Sequence, residues 1–346
     1  MKLLKRMGAL ALTLALALSL TACGGKESQE AAPEGGGEEA ALEEITFVLD
    51  WTPNTNHTGL YVAMEQGYFK DAGFDVKVVQ PPEDGAEMLV ASGRAQFGVS
   101  FQDYIAPALV GDEPLGITAV AAILQHNTSG IVSRKGEGMD HPAGLEGKKY
   151  ATWDLPVEKA TIRQVMEAEG ADFDKVELIP STVTDEVSAL QSKSVDAIWI
   201  FYGWAGIACE NAGLETDYFA FKDIDPVFDF YTPVVIANND YLTEKPERAK
   251  AFVEALSKGY QFAIENPQEA AEILMNAAPE LKDSAELVVA SQEYLAGQYQ
   301  ADAARWGEFD ADRWSGFYQW LNDEDLMGGA PLDPMAGFSN DFLPAA

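Results

Sequence analysis

In the stretch Asp50-Trp51-Thr52-Pro53-Asn54-Thr55-Asn56-His57-Thr58, an acid, an indole, two amides, an imidazole and three hydroxyls crowd into nine residues. Related mixtures recur at Ser100-Phe101-Gln102-Asp103, Gln125-His126-Asn127-Thr128-Ser129, Thr152-Trp153-Asp154 and Phe201-Tyr202-Gly203-Trp204. Each combines an aromatic ring or an amide with other polar groups. Aromatic faces stack on a planar guest, while amides and carboxylates match the donors and acceptors on its edge. The residues marked out for such binding are Trp51, Asn54, His57, Ser100, Gln102, Asn127, Trp153, Tyr202 and Trp204. Plainer roles stand beside these: Asn54 as a turn residue after Pro53, His57 as a cap, Asn127 as a loop residue, and one ring of the Tyr202/Trp204 pair as packing. No arginine fork or phosphate-loop glycine set accompanies these stretches, which argues against a phosphate or sulfate ligand. The three histidines, His57, His126 and His141, lack metal-ligand spacing, so neither a metal nor a cofactor is expected, and no catalytic set is assigned.

The elements that position these groups alternate along the chain. Strand-like runs at Ile45–Leu49, Phe74–Val79, Ala95–Ser100 and Ile117–Leu124 are separated by helical patterns at Gly59–Tyr68 and from Asp84 to Ser92. A second series follows, with strands in Lys148–Trp153, Lys175–Ile179 and Val195–Phe201 and helices at Pro156–Glu169, Thr184–Gln191 and Tyr202–Ala212. This order implies an α/β fold with parallel sheets between helices. The chain divides into two lobes, 45–134 plus 235–346 and 135–234, so that two crossings form a hinge. Ligands of open α/β sheets sit beyond the carboxyl ends of strands, where all the polar–aromatic stretches fall. Trp306, Trp314 and Trp320, in the helical C-terminal part, are read as core.

Composition narrows the class. The formal charge of −33 excludes nucleic-acid binding, which needs a basic footprint. Lys2, Lys5 and Arg6 precede an apolar run from Met7 to Leu20 that is short for a bilayer span, so residues 1–22 read as a signal peptide. The ending Leu20-Thr21-Ala22-Cys23 resembles the lipobox of bacterial lipoproteins, which implies lipidation of Cys23 and a membrane held through that anchor. Residues 23–44 then form a Gly- and Glu-rich flexible tether. With Cys23 used this way, Cys209 has no intrachain partner.

The stretches Phe47–Phe69, Pro81–Asp103 and Ile198–Trp204 resemble the extracytoplasmic solute-binding proteins of the NMT1/THI5-like family, which serve ABC importers of thiamine pyrimidine precursors. The resemblance implies a two-lobed type II periplasmic-binding-protein fold with a hinge and central ligand cleft. It also implies a formylaminopyrimidine-type ligand, a permease partner, an extracytoplasmic location and a monomer. Close relatives carry an acid after the Tyr-Gly-Trp motif; Ala205 stands there, which opens the choice to other flat heterocycles such as riboflavin. Eukaryotic relatives are enzymes that build the pyrimidine, but the cysteine-rich run they share has no counterpart here.

Overall fold

The computed structural model describes residues 41–181 and 183–345, and the signal peptide, Cys23 and most of the tether lie outside the described residues. Ten strands are present among the described residues: β1 (Glu43–Val48), β2 (Phe74–Val79), β3 (Phe97–Ser100), β4 (Ile117–Ala122), β5 (Ser129–Arg134), β6 (Lys149–Thr152), β7 (Glu177–Pro180), β8 (Ala197–Phe201), β9 (Thr216–Ala220) and β10 (Val234–Asn238). They form two five-stranded sheets, ordered β2-β1-β3-β10-β4 and β7-β6-β8-β5-β9. Each sheet is the heart of one lobe. No helix among the described residues is long and apolar enough to cross a membrane.

The parallel expectation holds for β1 with β2 and β3, and for β6 with β7 and β8. It fails for β10, antiparallel to β3 and β4, and for β5, antiparallel to β8 and β9. The reason is the direction of entry. A chain arriving from the other lobe starts at the carboxyl ends of the resident strands and runs away from them.

Two boundaries need correction. Ser129–Arg134 belongs to the second sheet, so the first crossing lies in 123–128, ahead of the 134/135 division expected from composition. The Gly-rich stretch that follows marks an exposed turn of the second lobe, and the fully buried run Ser-Gly-Ile-Val-Ser-Arg carries no period to betray it. At the tether's end, Glu43 and Glu44 already pair with Phe74 and Asp75 in β1. Glu43 also holds Lys245 (2.7 Å) and Arg248 (2.8 Å), which is why the strand starts before the apolar residues do.

Side-chain alternation explains the packing of the first lobe. Ile45, Phe47, Phe97, Val99, Val235 and Ala237 share one apolar cluster with Phe252 of the helix Pro246–Glu265, while Val48, Val234 and Ile236 join the cluster on the other side. Phe252 lies stacked on Phe97 at 4.1 Å and on Phe69 at 4.7 Å. Trp306 and Trp314 are fully buried and Trp320 nearly so, as core residues.

Candidate functional site

The turn after β1 is built from the backbone outward. Asn54 caps the short 3-10 turn Thr55–His57: its side-chain oxygen accepts from the Asn56 amide (2.9 Å), and its side-chain nitrogen donates to the Thr52 carbonyl (3.1 Å). His57 is buried. Its Nδ1 accepts from the Asn54 amide (3.2 Å), so the ring proton sits on Nε2 and faces Asp50 (2.6 Å). Tyr260 and Tyr299 donate to the carbonyls of Asn56 (2.7 Å) and Thr55 (2.6 Å), which fixes the turn to the helices beneath. Ser291 donates to the Gly203 carbonyl and lies 2.6 Å from the Thr55 hydroxyl, which therefore donates to it. That chain of hydroxyls joins the turn after β1 to the turn after β8. Trp51 stands out from this base, 59% exposed.

The second lobe presents Trp153, 40% exposed, on the loop between β6 and the helix Pro156–Ala168. Glu158 shapes that loop. Its buried carboxylate accepts from the Tyr150 hydroxyl (2.6 Å), the Thr152 hydroxyl (3.0 Å) and the amides of Trp153 (3.1 Å) and Leu155 (3.2 Å). Glu158→Gln turns an NH2 toward backbone donors that cannot rotate, leaving at least one buried amide without an acceptor. We expect a loss of about 1–3 kcal/mol, read as a lower unfolding midpoint, together with weaker ligand binding as Trp153 shifts.

The lobes meet at two rings that sequence patterning did not single out. Phe101, just after β3, and Phe201, at the end of β8, lie 6.3 Å apart between centroids with planes 15° from parallel. Beside them, Ser129 pairs directly with Phe201, and Trp199 stands two residues earlier on the same face of the sheet. The Ser129 hydroxyl and the Trp199 indole N–H are buried without hydrogen-bond partners. Such orphans are rare in native interiors, and each calls for a partner such as an ordered water, an ion or a ligand. Trp199 also packs against Trp153 at 6.0 Å. On the first-lobe rim, desolvation, with the Glu87 carboxylate adding repulsion, raises Asp103 to about 7. Burial raises the Tyr104 phenol to about 12, helped by Asp103, Glu87 and, from the other lobe, Glu158.

The remaining candidates are placed elsewhere or are already engaged. Ser100 is buried and donates to Glu87. Gln102 spends its whole amide on the fold, its Nε2 donating to the Trp314 carbonyl (2.9 Å) and its Oε1 accepting from the Tyr231 amide (2.9 Å). Asn127 does the same in the first crossing, donating to the Phe228 carbonyl (2.8 Å) and accepting from the Ser129 amide (2.8 Å). Tyr202 turns to the opposite face of its sheet from Phe201 and contacts Tyr218 at 4.8 Å and Tyr294 at 5.4 Å. Trp204 packs against first-lobe helical residues including Tyr61, Leu274 and Val288. Trp204 is therefore committed to packing between helices, and a near-parallel ring pair contributed by the two lobes is Phe101 with Phe201. The local signal for both rings is an aromatic residue at the carboxyl end of a strand.

The crossings are pinned by His126. Its Nδ1 lies 2.7 Å from Asp229 of the second crossing and its Nε2 lies 2.9 Å from Asp302. Asp229 also accepts from the Asn127 amide (2.9 Å), and Arg313 stands 3.7 Å from it. Both ring nitrogens face carboxylates, so only the imidazolium satisfies both. The Asp229 hydrogen bond leads in raising the His126 pKa above its ordinary value. The stabilisation is complete below the ordinary histidine pKa and disappears as pH rises through the raised folded-state value. The midpoint difference between wild type and His126→Asn should therefore be largest in mild acid and shrink as the pH is raised above neutrality, measured by thermal unfolding across that range.

Comparison with known proteins places these features in context. A family model described as NMT1/THI5 like matches residues 54–270. The chain is 29% identical over 294 residues to the formylaminopyrimidine-binding protein of Halalkalibacterium halodurans, covering 84% of this chain and 88% of that protein. It is 25% identical to a 4-amino-5-hydroxymethyl-2-methylpyrimidine phosphate synthase of Saccharomyces cerevisiae, covering 70% and 74% of the two chains. Among solved structures, the periplasmic aliphatic sulphonate binding protein of Escherichia coli superposes with a TM-score of 0.64 at 13% identity, covering 85% of this chain and 91% of that one.

Proposed function

Because the chain belongs to the NMT1/THI5-like family, we propose that it is an extracytoplasmic solute-binding protein that captures a flat aminopyrimidine of the formylaminopyrimidine type and hands it to an ABC permease. The observation that carries this reading is the near-parallel Phe101–Phe201 pair, contributed by different lobes, with the unpartnered Ser129 hydroxyl and Trp199 N–H beside it. A small opening of the hinge brings the two ring planes to about 7 Å, two stacking distances, which admits one planar ring. The guest's edge then meets Ser129, Trp199 and the acid groups around Asp103. Trp51 and Trp153, exposed on opposite lobes, close over its rim. Binding favours the closed form to the extent that both lobes touch the guest at once. The pyrimidine assignment is supported by the name of the Halalkalibacterium relative and by the absence of an arginine among the residues of the gap described above. Lipidation at Cys23 would hold the protein beside its permease. A binding role without catalysis fits best, since His57 has both ring nitrogens engaged and Cys209 is buried, its thiol raised to about 11 mainly by that burial.

Calorimetric titration with formylaminopyrimidine, riboflavin, an alkanesulfonate and nitrate tests the proposal. Saturable pyrimidine binding with a change in tryptophan fluorescence is expected. Preference for the sulfonate or nitrate would overturn the ligand class. Formation of a pyrimidine phosphate from pyridoxal phosphate and iron would overturn the non-enzymatic reading.

A further inference from the structure

Away from the gap between Phe101 and Phe201, a recess of about 620 Å³ runs along the outer edge of the second lobe, lined by Lys135, Tyr202, Glu210, Glu215, Tyr218 and Tyr294 among others. We propose that it is a second ligand site, for a small organic cation such as an alkylammonium or quaternary ammonium group. Its size falls within the range of small-molecule pockets. Tyr202 forms the centre of a concave aromatic surface, with Tyr218 inclined to it by 50° and Tyr294 by 52°. Tyr218 comes from β9 and Tyr294 from the helix Ala285–Ala296, so the wall is assembled from both lobes. The faces of such rings carry negative potential and attract ammonium groups. Lys135 and Glu215 offset each other at 3.5 Å, which leaves Glu210 as the net charge of the lining. Glu210 is held in place by the Tyr202 hydroxyl, which donates to it. Burial, and next the Asp223 carboxylate, raise the Tyr294 phenol, so it stays neutral and adds no competing cation or anion of its own. Behind these rings the Thr128 carbonyl accepts from the Tyr218 hydroxyl (2.8 Å) and the Tyr202 amide (2.9 Å), which ties both residues to the first crossing.

The site differs in chemistry from the interlobe gap, where a planar ring is sandwiched, and it stands independently of the pyrimidine reading. Calorimetric titration of the purified protein with choline chloride, against sodium chloride at equal ionic strength, tests it. Saturable binding is expected in the wild type. Tyr294→Ala and Tyr218→Ala should each weaken it about fivefold. Glu210→Gln, which keeps the shape of the recess and guards against a misfolded variant, should weaken it as well. Formylaminopyrimidine at saturation should leave choline binding unchanged. Absence of saturable choline binding, equal affinity in the Tyr294→Ala and Glu210→Gln proteins, or displacement of choline by the pyrimidine would each overturn the second site. The last result would place the cation in the interlobe gap without disproving the pyrimidine assignment.

Discussion

Phe201→Ala is expected to weaken formylaminopyrimidine binding by about 10- to 100-fold, while shifting the unfolding midpoint only slightly. The magnitude follows from removing one face of a stack, since a nucleobase on an aromatic side chain is worth about 1–3 kcal/mol, and from the factor of ten that each 1.4 kcal/mol represents. Stability changes little because Phe201 is only half-buried at the lobe junction, and its main ring neighbour there is Phe101. Phe101→Ala should behave alike, and the two changes together should be less than additive, because losing either ring already breaks the sandwich. Trp51→Ala should weaken binding by a smaller factor than Phe201→Ala, as its ring covers the rim. Titration calorimetry of the four variant proteins measures this ranking. Unchanged affinity in Phe201→Ala would move the ligand away from the ring pair.

The largest stability effect is expected from Gly259→Ala. The helix Pro246–Glu265 crosses the helix Thr58–Glu65 so closely that a Cβ on Gly259 would lie 2.0 Å from the Gly59 carbonyl oxygen. On the facing side, a Cβ on Gly59 would meet the Tyr260 ring at 2.3 Å. The obstacle at Gly259 is backbone, so no rotamer change relieves it and the two helices must separate. Phe252, Leu256 and Tyr260 would then lose contacts with Phe47, Leu60 and Ala63 in one shared cluster. Overpacking of this kind costs about 1–3 kcal/mol or more, and with the lost packing we expect the midpoint to fall by about 10 °C. The same separation displaces Tyr260 from the Asn56 carbonyl and loosens the turn that carries Trp51. Gly316→Ala is the matched control. Gly316 is exposed within the helix Ala311–Asp323 and its Cβ would meet nothing within 4 Å, so alanine should be neutral or mildly stabilising there. Differential scanning calorimetry separates the two outcomes; a Gly259→Ala protein as stable as wild type would refute the close-crossing account.

Much of the architecture was legible in the residue pattern. Alternation in Phe74–Val79, the continuous apolar run from Ile117 and the helical apolar spacing of the C-terminal part are local signals, and each became the element it indicated. The polar–aromatic stretches did fall at strand ends, because a strand that leaves a sheet must stop where its backbone groups can find other partners. What local pattern does not contain is orientation at one-residue resolution. Phe201 and Tyr202 are neighbours of similar chemistry, yet at the strand end they point to opposite faces, so one joins the gap between the lobes and the other a recess at the edge.

Nor does composition reveal which polar side chains the fold consumes. Gln102 and Asn127 look like ligand-reading groups in the sequence, but each is bonded to residues at least a hundred positions away, such as Tyr231 and Phe228. The amino-acid sequence by itself therefore determined the alternating α/β elements, the acidic composition and the strand ends at which polar and aromatic groups gather. Only the tertiary structure decided which ring of each pair faces the junction between the lobes and which amides pin the crossings. The difference is physical: helix and strand periods are set by neighbours along the chain, whereas the partner of a buried amide and the face of a terminal ring depend on segments that the chain brings back from far away.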